Sequence, residues 1–222
     1  MSSADEPATE EEPATDEQRE DLVRALTNEL AEGVVDSHIM PGTDLWVRLS
    51  NDSWAEAGRV LRNKMGFGFF SWISGIDWMP SPYGRSMDSE EDRAMGLIEA
   101  SNNEPGAIEQ GVAGGDTRFQ VIARVYSLHT HAGITLKADV ADDSPSIASW
   151  VSTYAGAEWH ERETWEMFGI AFEGHPGLRH IYLPGDFEGY PLRKDYPLVA
   201  RIMKPWPGLV DVEAMPETEG ES

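Results

Sequence analysis

Arg118-Phe-Gln-Val-Ile-Ala-Arg-Val-Tyr-Ser127 and Ile134-Thr-Leu-Lys-Ala-Asp-Val140 decide the fold. Both stretches alternate apolar and polar side chains, the period of a strand with one buried face. The His129-Thr-His-Ala-Gly133 stretch joining them reads as a hairpin tip. Upstream, residues 69–78 are apolar and aromatic and are predicted to form a buried strand. Residues 34–40 and 45–49 read as a further pair of strands around a Pro41-Gly42 turn.

Helices flank these strands. Thr15-Asp-Glu-Gln18 is a capping-box pattern, Leu22, Leu26 and Leu30 recur at four-residue spacing, and Gly33 is the expected stop. Ser53-Trp-Ala-Glu56 is a second capping box, opening a helix that runs through Val60 and Leu61 towards Gly66. Ser144-Pro145 is expected to open a short helix carrying Ile147, Trp150 and Val151, and residues 158–168 a longer one. This order predicts an α+β domain over residues 15–173: an antiparallel or mixed sheet with helices packed on one face.

Charge divides the chain further. Its 222 residues carry 17 Lys and Arg against 40 Asp and Glu, a net charge of −23. A field of that sign disfavours nucleic acid and anionic bilayers. With no cysteine there is no disulfide, no thiolate zinc site and no thiolate ligand for an iron–sulfur cluster in this chain. No apolar run approaches the ~20 residues of a membrane-spanning helix. The acidic first 20 residues are the opposite of a secretory signal, so a soluble, cytoplasmic-side protein is expected, held at any membrane by other subunits. Residues 1–14 and 208–222 are acidic and poor in apolar side chains, and are expected to be disordered tails. Residues 80–116 hold eight acids against two arginines and read as an exposed insertion, with a short helix expected over 90–100.

Residues 174–207 differ again, with six prolines, five large aromatics and five basic residues against three acids. No regular period survives that proline density. An extended, basic, aromatic segment on an acidic protein needs a surface to lie on. That surface is either a partner, for which Tyr, Trp, Phe and Arg are the usual anchors, or the chain's own domain.

Catalytic patterns are weak. Gly66-Phe-Gly68 lacks the third glycine of a dinucleotide loop and lies between a helix and a strand, the wrong order. His129 and His131 sit at a hairpin tip with no third ligand placed by spacing. In Trp159-His160-Glu161-Arg162-Glu163 the second histidine of a zinc-protease helix is absent. Glu163 and Glu166 could share a helix face, but without a third ligand they are expected to pair with Arg162, Arg179 or a neighbouring chain. Glu161, Arg162 and Glu163 are expected to point in different directions and to pair separately.

Longer patterns carry a resemblance. Glu161-Arg-Glu-Thr-Trp-Glu-Met-Phe-Gly-Ile-Ala-Phe172, Gly174-His-Pro-Gly-Leu-Arg179, Pro184-Gly-Asp-Phe187 and Pro191-Leu-Arg-Lys-Asp-Tyr-Pro197 resemble the signature of the 30-kDa subunit of respiratory complex I, the C-type subunit of bacterial NADH–quinone oxidoreductase. The match is strong over residues 158–198 and weaker over 118–142 and 66–78, where Ile76-Asp-Trp78 resembles the family's strand end. The sequence departs from the pattern at Glu166, where Asp is usual, at Gly177, where an acid or amide is usual, and at His180, where a second Arg is usual. The acidic insertion is a further departure.

The resemblance implies a cofactor-free, non-catalytic subunit of the peripheral arm, with flavin and iron–sulfur clusters in partner subunits. It implies an extended C-terminal segment lying on the 49-kDa relative. That relative and the subunit holding the terminal iron–sulfur cluster form the quinone site of a complex that passes electrons from NADH to quinone and pumps protons. The complex would sit at the cytoplasmic side of the cell membrane, with this chain peripheral. The interface residues it implies are Glu161, Arg162, Glu163, Phe168, Gly169, His175, Pro176, Leu178, Arg179, Asp186, Phe187, Pro191, Leu192, Arg193, Lys194, Asp195, Tyr196 and Pro197. The alternatives are the equivalent subunit of a membrane-bound hydrogenase or an F420-type dehydrogenase, a metal hydrolase built on His160, Glu161 and Glu163, and an acidic adaptor that binds through its tails.

Overall fold

The computed structural model describes residues 16–80 and 108–196. The expected tails, the capping role of Thr15, the helix over 90–100 and Pro197 lie outside the described residues.

Helix α1 spans Glu17–Leu30, and β1 (Val34–Met40) and β2 (Asp44–Leu49) form the first hairpin. Helix α2 (Trp54–Asn63) leads to β3 (Phe69–Asp77). Then come β4 (Phe119–Ser127), β5 (Ala132–Val140), β6 (Ser146–Ala148), α3 (Ala157–Phe168) and β7 (Ala171–Glu173). The main sheet has the order β1-β2-β5-β4-β3. Neighbours are antiparallel except β2 and β5, which run parallel, with Val47 opposite Leu136. The sheet is therefore mixed: α2 carries the chain from the first hairpin to β3, and β5 meets β2 in the same direction.

Alternation sorts the strand side chains. Leu45, Val47, Leu49, Ile73, Val121, Ala123, Val125, Ile134, Leu136 and Ala138 are buried in one cluster with Leu26 of α1, Trp54, Val60 and Leu61 of α2, and Phe168 of α3. The other face is polar. Arg48 donates to Asp139 at 3.1 Å and Asp116 at 2.8 Å, and Arg124 donates to Asp44 at 2.8 Å. Buried Lys137 donates to Val112 O at 2.7 Å, and burial pushes its ammonium down to about 8.

Several sequence expectations need correction. Residues 110–117 are not simply an exposed loop: Ala113 is buried, and Gln110 Nε2 donates to Thr117 O at 2.9 Å. Asp16 is the N-cap of α1, accepting from Arg19 N at 3.1 Å, and the helix stops at Leu30, three residues before the expected Gly33. Ser53 makes no side-chain cap on α2; its hydroxyl accepts from Ser50 Oγ. Residues 146–148 form a strand rather than a helix, because they pair in parallel with Ala171–Glu173. Ile147 and Trp150 still reach the core, through a strand and a turn instead of a helical face.

Candidate functional site: a C-terminal segment fastened to α3 and the sheet end

Helix α3 carries the first block of the signature. Glu161 is buried, and Ser149 Oγ and Trp150 N each donate to its carboxylate at 2.6 Å. Trp150 stacks on Trp54 with ring centroids 4.6 Å apart, and its indole N–H donates to Trp54 O at 2.9 Å. Glu161 thus fixes the turn that pins α2. Burial pushes its carboxyl up to about 7, against the pull of its two donors.

The next position points elsewhere, as a rotation of ~100° per residue requires. Arg162 pairs with Glu158 at 3.1 Å and donates to Arg179 O at 3.1 Å and His180 O at 3.2 Å. Its guanidinium also lies over the exposed Trp159 ring. The Glu163 side chain makes no hydrogen bond to a described residue. Separate environments for these three residues match expectation; a cation partner for Glu163 does not appear among the described residues. His160 packs its ring edge on Phe70. His160, Glu161 and Glu163 therefore do not converge. Among the described residues, no group of three or more His, Cys, Asp or Glu could hold a metal ion.

Glu166 is buried and serves a different role from the cation pairing expected of it. Its carboxylate accepts from the consecutive amides of Ile181 (3.0 Å), Tyr182 (3.1 Å) and Leu183 (2.7 Å), and lies 3.0 Å from His180 Nδ1. Burial opposes its charge, but these amides and His180 outweigh that and hold the carboxyl below its ordinary range. His175 closes the start of the segment: Gly177 N donates to its Nδ1 at 3.0 Å, so its Nε2 is the nitrogen that donates to Glu158 O at 3.1 Å.

A second fastening follows. Gly169 ends α3 with φ of 72°, the left-handed conformation that Gly adopts without a Cβ penalty. Arg193 Nε donates to Phe168 O at 2.6 Å, its guanidinium lies over the Phe119 and Tyr190 rings, and Leu192 N donates to Met167 O at 3.1 Å. Phe187 stacks on Tyr196. Residues 174–196 therefore lie on the chain's own domain. The core extends into this region: Ile170 and Phe172 are buried in it and Leu178 packs against it.

The segment still presents an outer surface. Tyr182 is 63% exposed and Leu192 52% exposed. Pro176, Arg179, Asp186 and Lys194 face solvent, while Pro191 is half-buried. The contacts missed in the sequence are those of Asp77, Arg118 and Ser149, whose partners are backbone groups or residues far away in the chain. The only hint was the charged residue in Ile76-Asp-Trp78, at the end of an otherwise apolar strand.

Residues 47–201 match the family of the respiratory-chain NADH dehydrogenase 30-kDa subunit. The chain belongs to this family. Relatives that it matches are named as subunits of NADH-quinone oxidoreductase. The C-type subunit of NADH-quinone oxidoreductase from Roseiflexus sp. (strain RS-1) is 47% identical over 87 residues, 39% of this chain and 50% of that protein. The C/D-type subunit of NADH-quinone oxidoreductase from Buchnera aphidicola subsp. Schizaphis graminum (strain Sg) is 42% identical over 79 residues, 36% of this chain and 13% of that protein. The chain thus spans half or less of the length of these relatives. A polypeptide in the structure of a membrane-bound sulfane sulfur reductase, an archaeal respiratory membrane complex, shares the fold. Its TM-score is 0.57 at 15% identity, over 92% of this chain and 97% of that one. No helix among the described residues is long and apolar enough to cross a membrane.

Proposed function

We propose that this chain is a cofactor-free subunit of the peripheral arm of a proton-pumping NADH–quinone oxidoreductase. It docks through its C-terminal segment on the 49-kDa-type subunit, near the quinone site which that neighbour shares with the terminal iron–sulfur cluster subunit. It has no active site of its own and supports the passage of electrons from NADH to quinone by holding its neighbours in place. Flavin and iron–sulfur clusters belong to those neighbours, and the chain is peripheral at the cytoplasmic side of the cell membrane.

The observation that carries the reading is the family match together with relatives named as C/D, in which the 30-kDa-type and 49-kDa-type parts share one polypeptide. A fused chain holds the two at high effective concentration, which favours contact between them. The exposed Tyr182, Tyr190 and Leu192, with the solvent-facing Arg179 and Lys194, supply aromatic and cationic side chains suited to such a contact.

Affinity purification of the tagged chain from solubilised membranes tests this. The 49-kDa-type subunit, the terminal-cluster subunit and the NADH-oxidising subunits are expected to come with it, together with NADH–quinone activity. Recovery of the chain alone, or with hydrogenase or F420-dehydrogenase subunits, overturns it.

A further inference from the structure

Asp77 ends β3 with its carboxylate buried. Four donors converge on it. Arg118 presents a fork, Nε at 2.8 Å and Nη2 at 2.7 Å, and Met79 N lies at 3.0 Å. The fourth donor is Lys194 N at 2.8 Å, which comes from the far end of the described chain. Two forked bonds and two amides satisfy a carboxylate fully. Arg118 then continues outward to Asp195 at 3.0 Å and lies over the Phe119 ring.

The turn that Asp77 reaches is internally closed. Arg193 N donates to Tyr190 O and Tyr196 N to Arg193 O, both at 3.1 Å. Leu192 N and Arg193 Nε bind the last carbonyls of α3. One side of the turn is thus fixed to α3 and the other to the sheet end. Between these two points Leu192, Tyr190 and Lys194 face outward.

We propose that Asp77 is a positioning residue for docking: it sets the 190–196 turn in the conformation that meets the 49-kDa-type subunit. This rests on the docking reading above. Three of the four contacts on Asp77 could serve the sheet end alone. The Lys194 amide does not, because it belongs to a turn whose outward side chains contribute nothing to the core. Fixing that turn before docking removes ordering entropy from the association step, so the carboxylate acts on affinity without touching the partner.

The test uses the full chain and the 49-kDa-type subunit, with hydrogen exchange and binding affinity measured on the same samples. Asp77→Asn keeps the size but turns one acceptor oxygen into a donor. Exchange at the Lys194 and Tyr196 amides is expected to rise about tenfold or more, and affinity for the 49-kDa-type subunit to fall about tenfold, with β5 amides unchanged. If Asp77→Asn loosens the sheet itself, Asp77→Glu carries the test, because it keeps a carboxylate for Arg118 and displaces the acceptor from the Lys194 amide. It is expected to change both readouts in the same direction, by less. Unchanged exchange in the turn overturns the proposal, and so does faster exchange with unchanged affinity. Failure of the wild-type chain to bind the 49-kDa-type subunit is a different result: it overturns the docking reading, and the proposal falls with it.

Discussion

The two ends of α3 carry buried carboxylates that titrate in opposite directions. Glu161, near the start, is pushed up to about 7; Glu166, near the end, is held below its ordinary range. Residue type and helix are the same and both side chains are shielded from solvent, but Glu161 lies deeper in the core and the two have different donors. Glu161 has one hydroxyl and one amide, and no ion pair among the described residues. Glu166 has three consecutive amides and the His180 ring. Desolvation wins at the first and hydrogen bonding at the second. The first end serves the core, gripping the turn of Trp150. The second end serves the segment, which it fastens through three consecutive backbone amides.

The sharpest way to break the second end is Glu166→Ala. It leaves three neighbouring amides without their acceptor, each worth ~1–3 kcal/mol when stranded away from water. Residues 178–183 are expected to detach at a cost of about 3–5 kcal/mol, seen as lost exchange protection at Ile181, Tyr182 and Leu183. Strands β4 and β5 are expected to keep their protection. Equal loss across the sheet would show that segment and sheet are one cooperative unit.

What could be read in advance follows the same division. The hairpin of β4 and β5 was visible because alternation is a local signal and one sheet face is apolar. The parallel pairing of β2 with β5 was not, since each strand's alternation is the same whichever neighbour it takes. Strand β6 was mistaken for a helix because Ile147, Trp150 and Val151 satisfy a helical spacing, and its true partner is Ala171–Glu173. The signature residues of the segment stood out by resemblance, but the clamps that hold them did not. Glu166 binds backbone amides, which carry no side-chain signature, and the Lys194 amide lies 117 positions from Asp77 in the chain.

The first end can be broken by pH. The Glu161 carboxyl keeps its proton to about 7 in the folded chain, against an ordinary value of 4.5. Between these values the folded state holds more protons than the unfolded one, so stability falls as pH rises, and it levels off above about 7. The full span corresponds to about 3 kcal/mol. Glu161→Gln retains an acceptor for Trp150 N and has no proton to lose, so the variant is expected to lack this slope. Denaturant melts of both proteins at pH 5, 6, 7 and 8 give the comparison, and subtracting the variant removes the histidine contribution common to both. Parallel curves would show that Glu161 is ionised throughout, like Glu166.

The smallest effect tests the cause directly. Ser149 Oγ is one of only two donors to Glu161 among the described residues, at 2.6 Å. Ser149→Ala removes it without opening the core, because the hydroxyl alone is lost. A hydrogen bond to a charged group contributes about 1.5–3 kcal/mol and one to a neutral group about 1 kcal/mol. Below pH 6, where Glu161 is protonated, Ser149→Ala is therefore expected to cost about 1 kcal/mol. Above pH 7, where the carboxylate needs its donors, the cost is expected to grow. The Glu161 titration itself should move further up, since only the Trp150 amide remains to favour the charge. A carbon-13 NMR titration of the Glu161 carboxyl reads that movement independently of stability. If the titration stays where it is, the number of donors does not set the balance at this end of α3, and the contrast with Glu166 needs another origin.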